Sequence, residues 1–339
     1  MPFQIIRNDI TKVSADVIVN TANPRPVFGS GTDSAVYAAA GAEALLAERR
    51  KIGDIAPGQA AVTPAFNLSA KYIIHTVGPA WLDGLHGEKD ILRACYENTL
   101  ALAAELRAES IAFPLIATGV YGFPKDEALN IALSEIGKFL LTHEMNVILV
   151  VLGTEAFALS EKLVGSIDAY LDEHQVRAIE NAEYADSRVL SEYRRRRAAR
   201  LSQAGNMSFH SPAGTAAKPL DQVLSDAGDT FQQRLFKLID ASGMDDVTVY
   251  KKANIDRKVF SRIRCKADYQ PTKKTAVALA VALRLPMQEI FGLLACAGLT
   301  FSPSDKFDLI ITYCVQNGIY DIFEINAVLF QYGQPLLGA

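Results

Sequence analysis

What most constrains this chain is a change of pattern part-way along it. Up to about residue 152, short Val- and Ile-rich runs alternate with helical stretches, and from about Gly165 such runs stop. The runs are "FQII" (3–6), "DVIV" (16–19), "KYIIHTV" (71–77), "SIAFPLI" (110–116) and "NVILVVL" (146–152), each with the length and apolar character of a buried strand. Helical patterns lie between them at 33–51, 91–108 and 125–143. Such alternation predicts a mostly parallel sheet covered on both faces, with ligands at the carboxyl ends of its strands.

The second half reads differently. "SIDAYLDEHQVRAIE" closes the first unit as a helix, "YRRRRAARL" (193–201) is basic, and "SQAGNMSFHSPAGTAAKP" (202–219) has the small, polar composition of a linker. The four-arginine run reads as a solvated helix face or a nucleic-acid contact. With 339 residues, two domains are the expectation: an α/β domain over 1–180, a basic segment and flexible linker over 181–219, and an all-α domain over 220–339. Charge divides with the pattern, since residues 1–180 carry 14 Lys/Arg against 22 Asp/Glu whereas 181–339 carry 20 against 16. The overall charge of −4 gives no bulk attraction to nucleic acid. The four cysteines show no CxxC spacing, so neither a metal centre nor a disulfide framework is implied, and reduced thiols fit a cytoplasmic protein. No stretch approaches the ~20 apolar residues of a membrane span, so no membrane partner is expected.

Two loops leave neighbouring strand ends with an unusual density of glycine. "NTANPRPVFGSGTD" (20–33) runs from "DVIV" to a helix start, where unpaired amides favour an anion; "ATGVYGFP" (117–124) follows "SIAFPLI". Together they suit a diphosphate held between strand ends.

With these loops, "NDIT" (8–11), "DVIVNTAN" (16–23), "GSGTDSAVYAAAG" (29–41), "GQAAVTPAFNLSAKYIIHTVGP" (58–79) and "SIAFPLIATGVYGFP" (110–124) occur in the order found in macrodomains, and about residues 1–175 resemble that family. The resemblance implies a three-layer α/β/α fold with a mixed, mostly parallel sheet. It also implies ADP-ribose, or an ADP-ribosylated protein, as ligand. It places Asp9 and the Ile10 amide on the adenine, and Asn23 on the proximal ribose. Gly29, Ser30 and Gly31, with Thr118, Gly119, Val120 and Gly122, fall on the phosphates. Tyr121 closes over the diphosphate and proximal ribose, and Asp33 orients or activates water. In catalytic terms Asp33 and Asn23 carry the hydrolysis of ADP-ribosyl esters, on mono-ADP-ribosylated acidic side chains or on O-acetyl-ADP-ribose, with no cofactor and no metal. Capping is the alternative role for Asp9 and Asp33, and a turn position is that of Asn23. His75 reads as a buried, hydrogen-bonded strand residue. Two departures stand out: Ser30 occupies a place where hydrolytic relatives have glycine and is expected to need a glycine-like backbone, and Leu152 offers the adenine apolar contact without stacking.

Helices continue to the C-terminus. "TFQQRLFKLIDASG" (230–243), a short pair around "ANID", then 272–285, 287–298, and stretches near 305–317 and 321–332 have amphipathic spacing. Asn254 suits a left-handed turn and Asp256 a cap. Residues 230–298 resemble the helix-turn-helix of lambda-repressor-like proteins. On "DRKVFSRIR", Val259, Phe260 and Ile263 face inward, leaving Arg257, Lys258, Arg262 and Arg264, followed by Lys266, for double-stranded DNA. The apolar helices after Thr300 either form an oligomer interface or complete the core. Three functions are therefore open: an ADP-ribosyl hydrolase, a reader that binds ADP-ribose without turnover, and an ADP-ribose-sensing DNA regulator.

Overall fold

The structure, a computed structural model, describes residues 2–152, 163–174 and 228–338. The basic run at 193–201 and the linker at 202–219 lie outside these residues. Six strands form one sheet in the order β1-β6-β5-β2-β4-β3. They are β1 (Phe3–Arg7), β2 (Val17–Thr21), β3 (Ala60–Pro64), β4 (Tyr72–Thr76), β5 (Ser110–Pro114) and β6 (Asn146–Val151). Neighbours are parallel except β3, which pairs antiparallel with β4. β3 has no counterpart among the apolar runs because "AAVTP" is short and small, and its proline is tolerated at a sheet edge.

Helices cover both faces. α1 (Thr32–Ala40) and α2 (Ala42–Ile52) bury Val36, Tyr37 and Leu45 against Ile18 and Ile73. The pattern at 33–51 predicts one helix, but Gly41, at φ +102°, divides it into these two. On the other face α3 (Glu88–Glu105) and α4 (Lys125–Thr142) pack Leu92, Tyr96, Leu129 and Ile136 onto Val19, Ile111 and Phe113. Residues 163–174 form a further helix, α5.

The described elements from Phe231 onward are all helices: α6 (Phe231–Ser242), α7 (Asp246–Lys252), α8 (Arg257–Cys265), α9 (Lys273–Ala282), α10 (Met287–Ala295), α11 (Lys306–Gln316) and α12 (Ile322–Gln331). Thr230 and Gln233 form a reciprocal capping box at the start of α6, and Asp256 caps α8 through the Lys258 amide. Ile310, Ile311 and Cys314 of α11 and Ile325, Val328 and Leu329 of α12 are buried within the chain's own core. Among the described residues, no helix is long and apolar enough to cross a membrane.

This helical region is seated on the sheet. Its core is continuous with that of the α3/α4 face, and Phe323 meets Phe3 edge-on with ring centroids 5.1 Å apart. Gly137 of α4 admits Phe323, since a Cβ there would lie 3.2 Å from its ring. Asn254, in the left-handed turn between α7 and α8 (φ +53°), accepts from the Phe3 amide at 2.9 Å and donates to the Phe3 carbonyl at 3.0 Å. Its amide also donates to the Leu337 carbonyl at 3.4 Å. β1 is an edge strand, and the Asn254 side chain pairs with it as a neighbouring strand would.

Candidate functional site

A cavity of about 600 Å³ opens at the carboxyl ends of β1, β2, β5 and β6. The segments that follow those strands line it: Asn8 to Ile10, Thr21 to Asn23, Gly29 to Asp33, Pro114 and Leu115, Ala117 to Tyr121, and Val150 to Leu152. Sequence reasoning brought Asp9, Ile10, Asn23, Gly29, Ser30, Gly31, Asp33, Thr118, Gly119, Val120, Tyr121 and Leu152 to one site, and all of them lie on this wall. Gly122 does not; at φ +66° it shapes the turn, its amide donating to the Gly119 carbonyl. Gly78 and Lys125 are lining residues that sequence reasoning missed.

Asp9 takes the capping role and lies on the cavity wall. Its Oδ1 accepts from the Thr11 amide at 3.0 Å and the Thr11 hydroxyl at 2.8 Å, capping the short turn at Ile10–Lys12 while the residue faces the cavity. These bonds hold its carboxyl below the ordinary carboxylate range.

The glycine loop differs from expectation in two respects. Ser30 has no positive φ; the left-handed position falls on Gly31, at φ +62° and ψ −127°, so the serine imposes no backbone strain. Nor does Asp33 cap α1, because Gly31 is the N-cap and makes no side-chain bond. Instead the Asp33 side chain turns inward and is almost fully buried, at 3% exposure. Its Oδ2 accepts from the Gly29 amide at 2.6 Å and its Oδ1 from Asn20 Nδ2 at 2.6 Å. A Cβ at Gly29 would sit 2.6 Å from that Oδ2, so any larger residue there would have to displace the Asp33 carboxylate.

Behind Asp33 runs a polar chain that the sequence did not announce. Asn20 Nδ2 lies 3.1 Å from His75 Nδ1, and His75 Nε2 lies 2.9 Å from Thr63 Oγ1. Because Asn20 presents its amide N–H to both Asp33 and His75, Nδ1 is the acceptor and the histidine proton sits on Nε2. Asn20 Oδ1 is left without a partner, a cost accepted because the reverse orientation would turn that oxygen toward a carboxylate. Burial, more than the opposing bonds from Asn20 and Gly29, raises the Asp33 pKa above its ordinary 3.8.

Burial, with the nearby Arg49 charge, pushes His75 down to about 3 from 6.5. A depressed folded pKa contributes stability that is complete above the unfolded value and is lost as pH falls through the folded one. Urea midpoints are therefore expected to decline from pH 6.5 toward pH 3, and His75→Gln to flatten that slope. An identical slope in the variant would clear His75 of responsibility.

Tyr121 is half-buried at the mouth, where its carbonyl accepts from the Trp81 amide at 2.8 Å. The adjoining loop is held by Glu88, which gathers the amides of Leu82, Asp83, Gly84 and His86. Asp83, His86 and Glu88 offer ligand atoms within 4.8 Å of one another, but Glu88 is already committed to those amides. Leu152 stands at the opposite end, 74% exposed.

A macro domain family model matches residues 19–132. An O-acetyl-ADP-ribose deacetylase of Cronobacter sakazakii is 41% identical over 170 residues, spanning 48% of this chain and 94% of the relative. The chain belongs to the macrodomain family. A macro domain-containing protein of Methanosarcina mazei is 44% identical over 142 residues, or 42% of this chain and 75% of that protein. Among solved structures, an Oceanobacillus iheyensis macrodomain with ADP is 38% identical, covers 47% of this chain and 83% of its own, and aligns with a TM-score of 0.42. The macrodomain match ends before the helical region that abuts β1.

Proposed function

We propose that the chain binds ADP-ribose in the strand-end cavity and hydrolyses ADP-ribosyl esters, O-acetyl-ADP-ribose among them. The observation that carries this reading is the convergence of Asn23, the glycine loop, Asp33 and Tyr121 on one wall of the cavity. The names of relatives 41% and 45% identical, both O-acetyl-ADP-ribose deacetylases, agree with it. In this reading Asp9 meets the adenine amino group, the amides of the two loops meet the diphosphate, and Asn23 meets the proximal ribose. Asp33, with its proton affinity raised by burial, orients the attacking water. The direct test is release of acetate from O-acetyl-ADP-ribose, and of ADP-ribose from a protein modified on acidic side chains. Binding of ADP-ribose by calorimetry with turnover of neither ester would leave the reader function in its place.

A DNA-binding role for 220–339 rests on one observation, the outward basic face of α8. Arg257, Lys258, Arg262 and Lys266 are exposed there. Arg264 is exposed too but is drawn to Asp246 and lies 4.8 Å over the Phe236 ring. Asn254, in the preceding turn, is buried against β1 and unavailable to a base edge. Salt-dependent duplex binding that weakens uniformly in Arg262→Ala supports this role. No retention of a duplex at low salt removes it.

A further inference from the structure

Beside the start of the segment that joins β2 to α1 lies a fully buried cation. Arg49 belongs to "ERRK", the basic end of the helical pattern at 33–51, and its neighbours Arg50 and Lys51 are exposed. Arg49 itself is 1% exposed. It points from the last turn of α2 under the segment that joins β2 to α1. One guanidinium nitrogen donates to the Gly53 carbonyl at 2.6 Å; the other reaches the carbonyls of Asn23 at 3.3 Å and Pro24 at 3.5 Å. The Ile55 amide adds a bond to the same Pro24 carbonyl at 2.9 Å. Burying an unpaired guanidinium is costly, so a cation in this place needs both acceptors and a counter-charge.

We infer that Arg49 is a positioning residue for the site: its planar fork holds the Asn23 main chain from below. The inference rests on the hydrolase reading for its kinetic readout and on ligand binding alone for its other. The fork geometry matters because three carbonyls in different directions are met by one rigid, planar donor set. A lysine in its place keeps the charge but cannot span them.

Several titratable groups lie around Asp33. Tyr37 follows it on α1, Arg49 faces it from α2, and Tyr121 faces it from the β5–α4 loop. His75 stands behind Asn20 on β4, Asp54 lies near Arg49, and Lys125 and Asp9 share the cavity wall. Arg49 is the cation that favours the ionised form of Asp33 from within the protein core. Removing it moves the acid limb of a pH profile upward.

The experiment compares full-length wild type, Arg49→Lys and Arg49→Met, measuring turnover of O-acetyl-ADP-ribose against pH and ADP-ribose affinity by calorimetry. Arg49→Lys is expected to lower kcat roughly 10-fold with the acid limb in place, because geometry is lost and charge is kept. Arg49→Met is expected to lower kcat roughly 100-fold and to raise the acid limb. Wild-type kcat and an unmoved acid limb in both variants overturn the inference, as does a loss that lower temperature restores in step with folding. Should Arg49→Met not fold, Arg49→Lys decides the positional part: kcat within twofold of wild type overturns it. If wild type itself turns over neither ester, the hydrolase reading fails while calorimetry still decides Arg49. The expected result is then ADP-ribose binding about 10-fold weaker in Arg49→Lys, and unchanged affinity overturns the inference.

Discussion

Asp33→Asn is expected to slow ester turnover by about 100-fold or more, despite the near-identical shape of the two side chains. Both carboxylate oxygens of Asp33 accept: one from the Gly29 amide, the other from Asn20. An asparagine has one acceptor oxygen, so its NH2 must face a donor at one of these contacts. Either the glycine loop is released or the Asn20–His75 chain is broken. Each buried group left unsatisfied costs ~1–3 kcal/mol, so a lower unfolding midpoint should accompany the kinetic loss. Steady-state kinetics and urea unfolding of Asp33→Asn and Asp33→Ala provide the check. Wild-type turnover in either variant would remove Asp33 from the chemistry. In wild type, because the folded pKa of Asp33 is raised, the acid limb of kcat/KM should lie above 3.8. The stability sign is opposite to that of His75: the contribution of Asp33 is present below 3.8 and is lost as pH rises through its folded pKa.

The second large effect falls far from the cavity. Asn254→Ala removes both partners of Phe3 and one partner of Leu337, in a position that is fully buried. Each buried group left unsatisfied costs ~1–3 kcal/mol, so a loss of about 3–4 kcal/mol is expected by urea unfolding. Alanine also bears the left-handed φ of +53° poorly, whereas glycine does not. Asn254→Gly should therefore recover the conformational part, on the order of 1 kcal/mol, and leave the hydrogen-bond part lost. Equal stability of the alanine variant and wild type would show that Phe323 and its neighbours alone hold the helical region on the sheet.

How much of this was legible beforehand follows from what each residue depends on. Strands such as "NVILVVL" and helices such as 230–243 are written in local periodicity and caps, and they stand where that periodicity puts them. The lining of the cavity was legible through the order of the glycine loops. Arg49, Asn20 and Lys125 were not, because their meaning is set by residues distant in sequence. Arg49 looks like its solvated neighbours until Asn23 and Gly53 are folded above it. Asn20 carried a faint signal, a lone amide inside an otherwise apolar strand, which a buried partner must explain. Ser30 misled for a related reason: which residue of "GSG" takes the left-handed turn depends on where Asp33 anchors the loop. β3 was invisible because an edge strand of alanines needs no apolar run.

The approach of Asp33 to Gly29 makes residue 29 the tight position of the loop. A methyl group at residue 29 would overlap the carboxylate oxygen, so a larger residue there has to displace Asp33. A serine at position 30 is tolerated because it stands outside that latch, its side chain exposed and its backbone relaxed. The loop thus has one place where it accepts novelty and one where it does not, and redesign of this cavity should begin at the former.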